Sequence, residues 1–155
     1  MPIDFSQEER LMYLIIMAGQ GNQTLYELYS DSDDTAKTRI LDAMAKGMEA
    51  LEPIMDMYGL ARDPEGVARA MVLTEDLIGC EPKGKLLSVS TDQAVRRVDS
   101  CPWAGSYSKD GGTCRLVMAA MEQGLGRKYG LEITCDQTMA EGKDHCIWKV
   151  SRKSK

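Results

Sequence analysis

Aromatic side chains are scarce in this 155-residue chain: they make up 6%, with a single Phe. No Cys-x-x-Cys pair occurs, which excludes the signatures of a zinc ribbon and of a thioredoxin-like redox site. No stretch reaches the roughly 18 consecutive apolar residues of a membrane span. The longest early run, Leu11 to Ala18, has neither a basic leader nor a small-residue cleavage site, so it does not read as a secretory signal. A basic stripe is also missing. The net charge is −5, from 19 Lys and Arg against 24 Asp and Glu, and a mildly acidic chain is a poor nucleic-acid binder. No internal repeat or linker interrupts the sequence. These absences point to a cytoplasmic protein with neither nucleic acid nor membrane as partner.

What remains is ordinary globular composition, 43% apolar and 28% charged, at a length that suits a single domain, 1–155. Met is abundant, at 11, and unbranched thioethers fill irregular core gaps. No array of Met-x-x-Met repeats suggests a soft-metal surface. The five cysteines, Cys80, Cys101, Cys114, Cys135 and Cys146, are odd in number and widely spaced. That argues for reduced thiols rather than a disulfide scaffold.

The first half, 1–82, reads as helices. Ser6 and Glu9 form a capping box ahead of Leu11, Leu14, Ile15 and Ala18, which share a helical face. Gly19-Gln20-Gly21-Asn22 is expected to break this helix, with a short one over Thr24–Tyr29. Asp33-Asp34 caps the next, which carries Ile40, Met44, Met48 and Leu51 and is ended or kinked by Pro53. Asp63-Pro64-Glu65 starts another, bearing Val67, Met71 and Ile78 and closing near Gly79.

The second half, 83–150, changes period. Lys85–Ser90 alternates, with Leu87 and Val89 on one face, and Ala94–Val98 is a second strand. Thr113 is the expected N-cap of a helix from Cys114 to about Lys128 that Gly130 terminates. Leu131, Ile133 and Cys135 alternate. After a turn at Gly142, so do Cys146, Trp148 and Val150, while Ser151–Lys155 reads as a frayed tail. The fold class is α+β: a helical N-terminal half packed on a small, mainly antiparallel sheet, with one long inserted helix.

Cys101, Cys114 and Cys146 sit at a strand end, a helix start and a hairpin strand, junctions that can converge on one pocket. At the helix start, the dipole is expected to lower the Cys114 thiol pKa. Against this stands the frequency with which free cysteines are simple packing residues, which is the reading for Cys80. His145, the only histidine, precedes Cys146, so in a strand the two face opposite ways. Asp144 flanks the Gly142 turn and is the carboxylate best placed for chemistry. Arg96, Arg97 and Arg115 can clamp a carboxylate by paired hydrogen bonds or serve as surface charges.

The segments Ser100-Cys101-Pro102-Trp103-Ala104, then Cys114, then Glu141-Gly142-Lys143-Asp144-His145-Cys146-Ile147-Trp148 resemble the L-2-amino-thiazoline-4-carboxylic acid hydrolase family. Lys143 intrudes before Asp144, and Trp148 stands where that family has Phe. The closing pattern is distantly similar to 4-vinyl reductase domains, which are small-molecule-binding α+β modules. The first resemblance implies a hydrolase opening a cyclic amidine ring. Cys101 would be nucleophile or metal ligand, Cys114 its partner, and Cys146 with Asp144 would complete the pocket. A covalent thiol route and a hydroxide on a thiolate-bound metal such as zinc are both compatible with three cysteines. The second resemblance implies a non-catalytic sensor for a small molecule, metal or tetrapyrrole, with Trp103 and His145 as candidates for holding a cofactor and His145 or a Cys for ligating haem. A homodimer is compatible with either.

Overall fold

The computed structural model describes residues 6–77, 84–107 and 109–153, apart from the side chains of Glu8 and Leu77. Ile78, Gly79 and Cys80 therefore lie outside the described residues. The chain runs α1 (Gln7–Asp31), α2 (Asp34–Met48), α3 (Leu51–Met57), α4 (Pro64–Leu77), β1 (Lys85–Val89), β2 (Gln93–Val98), α5 (Gly112–Met121), β3 (Leu131–Gln137) and β4 (Cys146–Arg152). The architecture is α+β, with a helical N-terminal half on a four-stranded antiparallel sheet ordered β1-β2-β4-β3. Among the described residues, no helix is long and apolar enough to cross a membrane.

Local chemistry fixes most element ends. The Ser6–Glu9 capping box forms: Glu9 N–H donates to Ser6 Oγ, and Ser6 N–H donates to the Glu9 carboxylate. Asp33 caps α2 through Ala36 N–H, and Asp63 accepts from Gly66 N–H ahead of α4. Pro53 neither ends nor kinks α2. The chain leaves that helix at Met48 and restarts at Leu51, with Pro53 in the first turn of α3, where its missing N–H costs little.

The expected break at Gly19–Asn22 does not occur, and α1 is one helix of 25 residues. Its cause is tertiary. A Cβ at position 19 would collide with the Trp103 indole, so the glycine provides a notch into which that ring packs. Trp103 Nε1 then donates to Ile15 O at 2.7 Å, tying two segments 88 residues apart. The turns before this notch stand clear of the body. Leu14, expected on a packed face, is 63% exposed, and Met12, Tyr13, Ile16 and Met17 are exposed with it.

α5 continues through a π-helical turn (Glu122–Gly126) into a last helical turn (Arg127–Tyr129), and Gly130 closes it in the left-handed region at φ 67°. Leu87 and Val89 are exposed on the edge strand, while Leu86 packs on the core; the register of β1 shifts between Leu86 and Ser88. One correction concerns the strands. Ser151 and Arg152 are not frayed but belong to β4, where Arg152 pairs with Leu131.

One face of the sheet is covered. Ala94, Arg96 and Val98 of β2 point inward and pair across to Val150, Trp148 and Cys146 of β4. The opposite face carries a Lys149–Asp136 ion pair at 2.5 Å. Two apolar clusters form the interior. The larger joins α3, α4 and the sheet around Met55, Val67, Leu125 and Val150, and the smaller joins α1, α2 and α5 around Met44, Leu116 and Ala120.

Candidate functional site: an apolar cavity bordered by three thiols

A cavity of about 340 Å³ opens where the two clusters meet. Met48, Leu51, Ile54, Met71, Val117 and Met121 supply most of its apolar wall. Cys101, Cys114 and Cys146 all border it, so the convergence expected from the sequence takes place. Three separate devices deliver them. Cys101 follows β2 in a turn held by the Trp103 indole on α1, and Trp103 stacks on Tyr107 with ring centres 6.2 Å apart. Cys114 is the third residue of α5. Cys146 opens β4 opposite Val98, and its sulfur accepts from Met139 N–H at 3.2 Å.

The start of α5 differs from the sequence expectation. Gly111, in the left-handed region at φ 72°, occupies the N-cap position, and Asp110 accepts from Gly112 N–H at 2.9 Å. Thr113 is fully buried and instead donates to the Gln23 side chain on α1. The helix dipole does not govern Cys114 either. Burial pushes its thiol up to about 12, and Cys146 and Cys101 add to the cost of ionising it. Burial likewise raises Cys146 against the Met139 N–H, and raises Cys101 against the backbone N–H groups of Trp103 and Ala104. All three are therefore neutral thiols at physiological pH. Cys135 is not a wall residue. It sits on β3, bonds to Gln137 O and is pushed by burial to about 12.

The remaining candidates fall on both sides of the cavity wall. Trp103 borders it. Asp144 is exposed in the bend before β4, away from the cavity. His145 lies in the bend before β4 rather than in a strand; its Nδ1 is buried without a hydrogen-bond partner, and the residue is not part of the wall. Among the described residues, no three His, Cys, Asp or Glu side chains are grouped so as to hold a metal ion. The three thiols share a cavity without forming a ligand set, so a thiolate-bound metal does not fit them. Arg97 pairs with Asp99, and Arg115 pairs with Glu141 at 2.8 Å. The hairpin before β4 is shaped by Thr138, which caps Met139–Glu141 in a second capping box with Glu141, and by Gly142 at φ 80°.

Sequence reasoning underrated one wall residue. Arg96 is 5% exposed, on the inward face of β2, and is ion-paired to Glu75 of α4. Its guanidinium carbon lies 5.4 Å from the centre of the Trp148 ring. Burial raises the Glu75 carboxyl against the pull of Arg96. The signal was present: in the alternation of Ala94, Arg96 and Val98, a charged residue shares the apolar face.

No family model matches the chain, and no curated protein matches it. Among solved structures, a trafficking protein particle complex subunit 3 from Naegleria fowleri, covalently bound to palmitic acid, is similar in fold. The TM-score is 0.60 at 14% sequence identity, over 94% of this chain and 96% of that one, a likeness of fold alone.

Proposed function

We propose that this chain is a non-catalytic binding module whose cavity takes an apolar small molecule. The observation that carries the reading is the cavity itself, about 340 Å³ of space walled mainly by thioethers, aliphatic side chains and indoles. That falls within the usual range of ligand pockets. A dry apolar cavity of about 150 Å³ takes a benzene ring, so this one suits a fused bicyclic ring or a medium-length alkyl chain. Neutral thiols act here as small, polarizable wall groups. A similar fold that carries palmitic acid supports the reading.

The test is thermal unfolding of the purified chain with 2-methylnaphthalene or 1-decanol. A ligand at about 100 times its Kd stabilises by about 2.7 kcal/mol, or about 5–10 °C in Tm at this length. Val117→Phe and Met121→Trp, which fill the cavity, should abolish the shift. No shift with either probe, or an undiminished shift in the filled variants, overturns the reading.

A second reading, a thiol hydrolase that opens a cyclic amidine ring with water, is favoured by the convergence of Cys101, Cys114 and Cys146. Cys101 is its best nucleophile, because two backbone N–H groups favour its thiolate. Incubating the chain with 2-amino-thiazoline-4-carboxylate, beside Cys101→Ala, tests it. Ring opening lost in the variant supports the hydrolase, and no ring opening, or full activity in the variant, removes it.

A further inference from the structure

Among the described residues, Arg96 is the only cation in the cavity's wall. A guanidinium has five N–H donors in a rigid fork. One Nη of Arg96 is engaged by Glu75, and Nε meets no hydrogen-bond partner. The face of the group rests against Trp148, which fixes its plane. Burying an ion pair costs several kcal/mol per charge unless further hydrogen bonds satisfy it, so a charge here with donors to spare is an incomplete network. Much of the rest of the wall is apolar, with Met71, Val98, Met121 and Trp148 among its residues.

We propose that Arg96 receives the head group of a small carboxylic acid whose aryl or medium-length alkyl body fills the cavity. This rests on the reading of the cavity as a ligand site and adds the chemical class of the ligand. Two arguments select a carboxylic acid among anions. Its planar oxygens match the planar fork of arginine. The Glu75 carboxyl already faces the same guanidinium, and two carboxyls beside one cation are most stable when they share a proton. At neutral pH the ligand arrives as its carboxylate, and one proton is taken up from solvent and shared between the two carboxyls, whereas a sulfonate is too weak a base to share it. No bond to carbon is made or broken.

The experiment is calorimetric titration of the full chain with three probes of one shape: 2-naphthoic acid, naphthalene-2-sulfonate and 2-methylnaphthalene. 2-Naphthoic acid is expected to bind about 10–100 times more tightly than 2-methylnaphthalene, the range of a hydrogen bond to a buried charge. The sulfonate is expected to bind more weakly than the acid. Glu75→Leu combined with Arg96→Met replaces the ion pair by apolar volume, an exchange that buried pairs generally tolerate. This double variant should lose the preference for the acid, read as the ratio of the two affinities, whatever its affinity for 2-methylnaphthalene. Arg96→Lys, which keeps the charge but not the fork, should lose most of the preference, and its unfolding temperature checks that it folds. If the acid and the hydrocarbon bind equally, or the double variant keeps the preference, Arg96 is not the head-group site, although the apolar cavity stands. If none of the three probes binds, both proposals fall.

Discussion

The two functional readings part company at the thiols, and their alkylation rates separate them. Burial holds Cys114 and Cys135 at about 12. An ordinary cysteine, with a pKa of about 8.5, is about one-quarter thiolate at pH 8; at 12 the fraction is about one in ten thousand. Only the thiolate reacts with iodoacetamide, so both residues should label about 2,000 times more slowly in the folded chain than in concentrated urea. Cys101 and Cys146 should also be slowed, since burial raises them too. Quantifying each labelled peptide by mass spectrometry over time at pH 8 gives the rates residue by residue. For the folded chain, the rate should rise tenfold per pH unit until local opening takes over. If Cys101 labels faster folded than unfolded, its two backbone donors outweigh burial. The site would then hold an activated nucleophile, which favours the hydrolase reading over the binding module.

Glycine positions give sharp contrasts in stability. Position 21 lies within α1 with open space where a side chain would go, so Gly21→Ala should stabilise by about 1 kcal/mol, or about 2–4 °C in Tm. At position 66 a Cβ would strike the Ala61 carbonyl, which is backbone, so Gly66→Ala should destabilise by at least about 3 kcal/mol in urea unfolding. Equal effects of the two substitutions would refute the packing described for α4. The Glu141 carboxyl is held below its usual range, chiefly by the Thr138 side chain and also by Arg115. A depressed carboxyl stabilises the fold above the unfolded value, about pH 4.3, and that contribution fades as pH falls through the lower folded value. The urea midpoint of Thr138→Val should therefore lie below the parent's at neutral pH, and the gap should narrow in acid to what the lost cap alone costs, whereas a constant gap would deny Glu141 this role.

The parts of the fold legible in the sequence were those set by neighbours in the chain. The capping box at Ser6, the Asp63-Pro64 start, and the ends at Gly130 and Gly142 all follow from chemistry within four residues. The continuity of α1 did not, because its reason is the Trp103 ring on Gly19, a contact created only by folding. The shift in the register of β1 was not legible, because alternation alone cannot reveal such an irregularity. At the site, three junction cysteines pointed correctly to one cavity. Their ionisation was misjudged for Cys114, since a helix dipole is a local property and burial is not. Arg96 went undistinguished from Arg97 and Arg115. What separates it is Glu75 approaching from α4, a pairing invisible in one dimension.

The chain has two tryptophans, Trp103 and Trp148, and both border the cavity, one on the loop docked against α1 and the other on the floor of the sheet. Their combined emission therefore arises wholly at the place where a guest would sit, with no indole elsewhere to dilute it. A change in quantum yield or peak wavelength on mixing reports occupancy without any label. Replacing one indole at a time assigns that change to the loop side or to the sheet side.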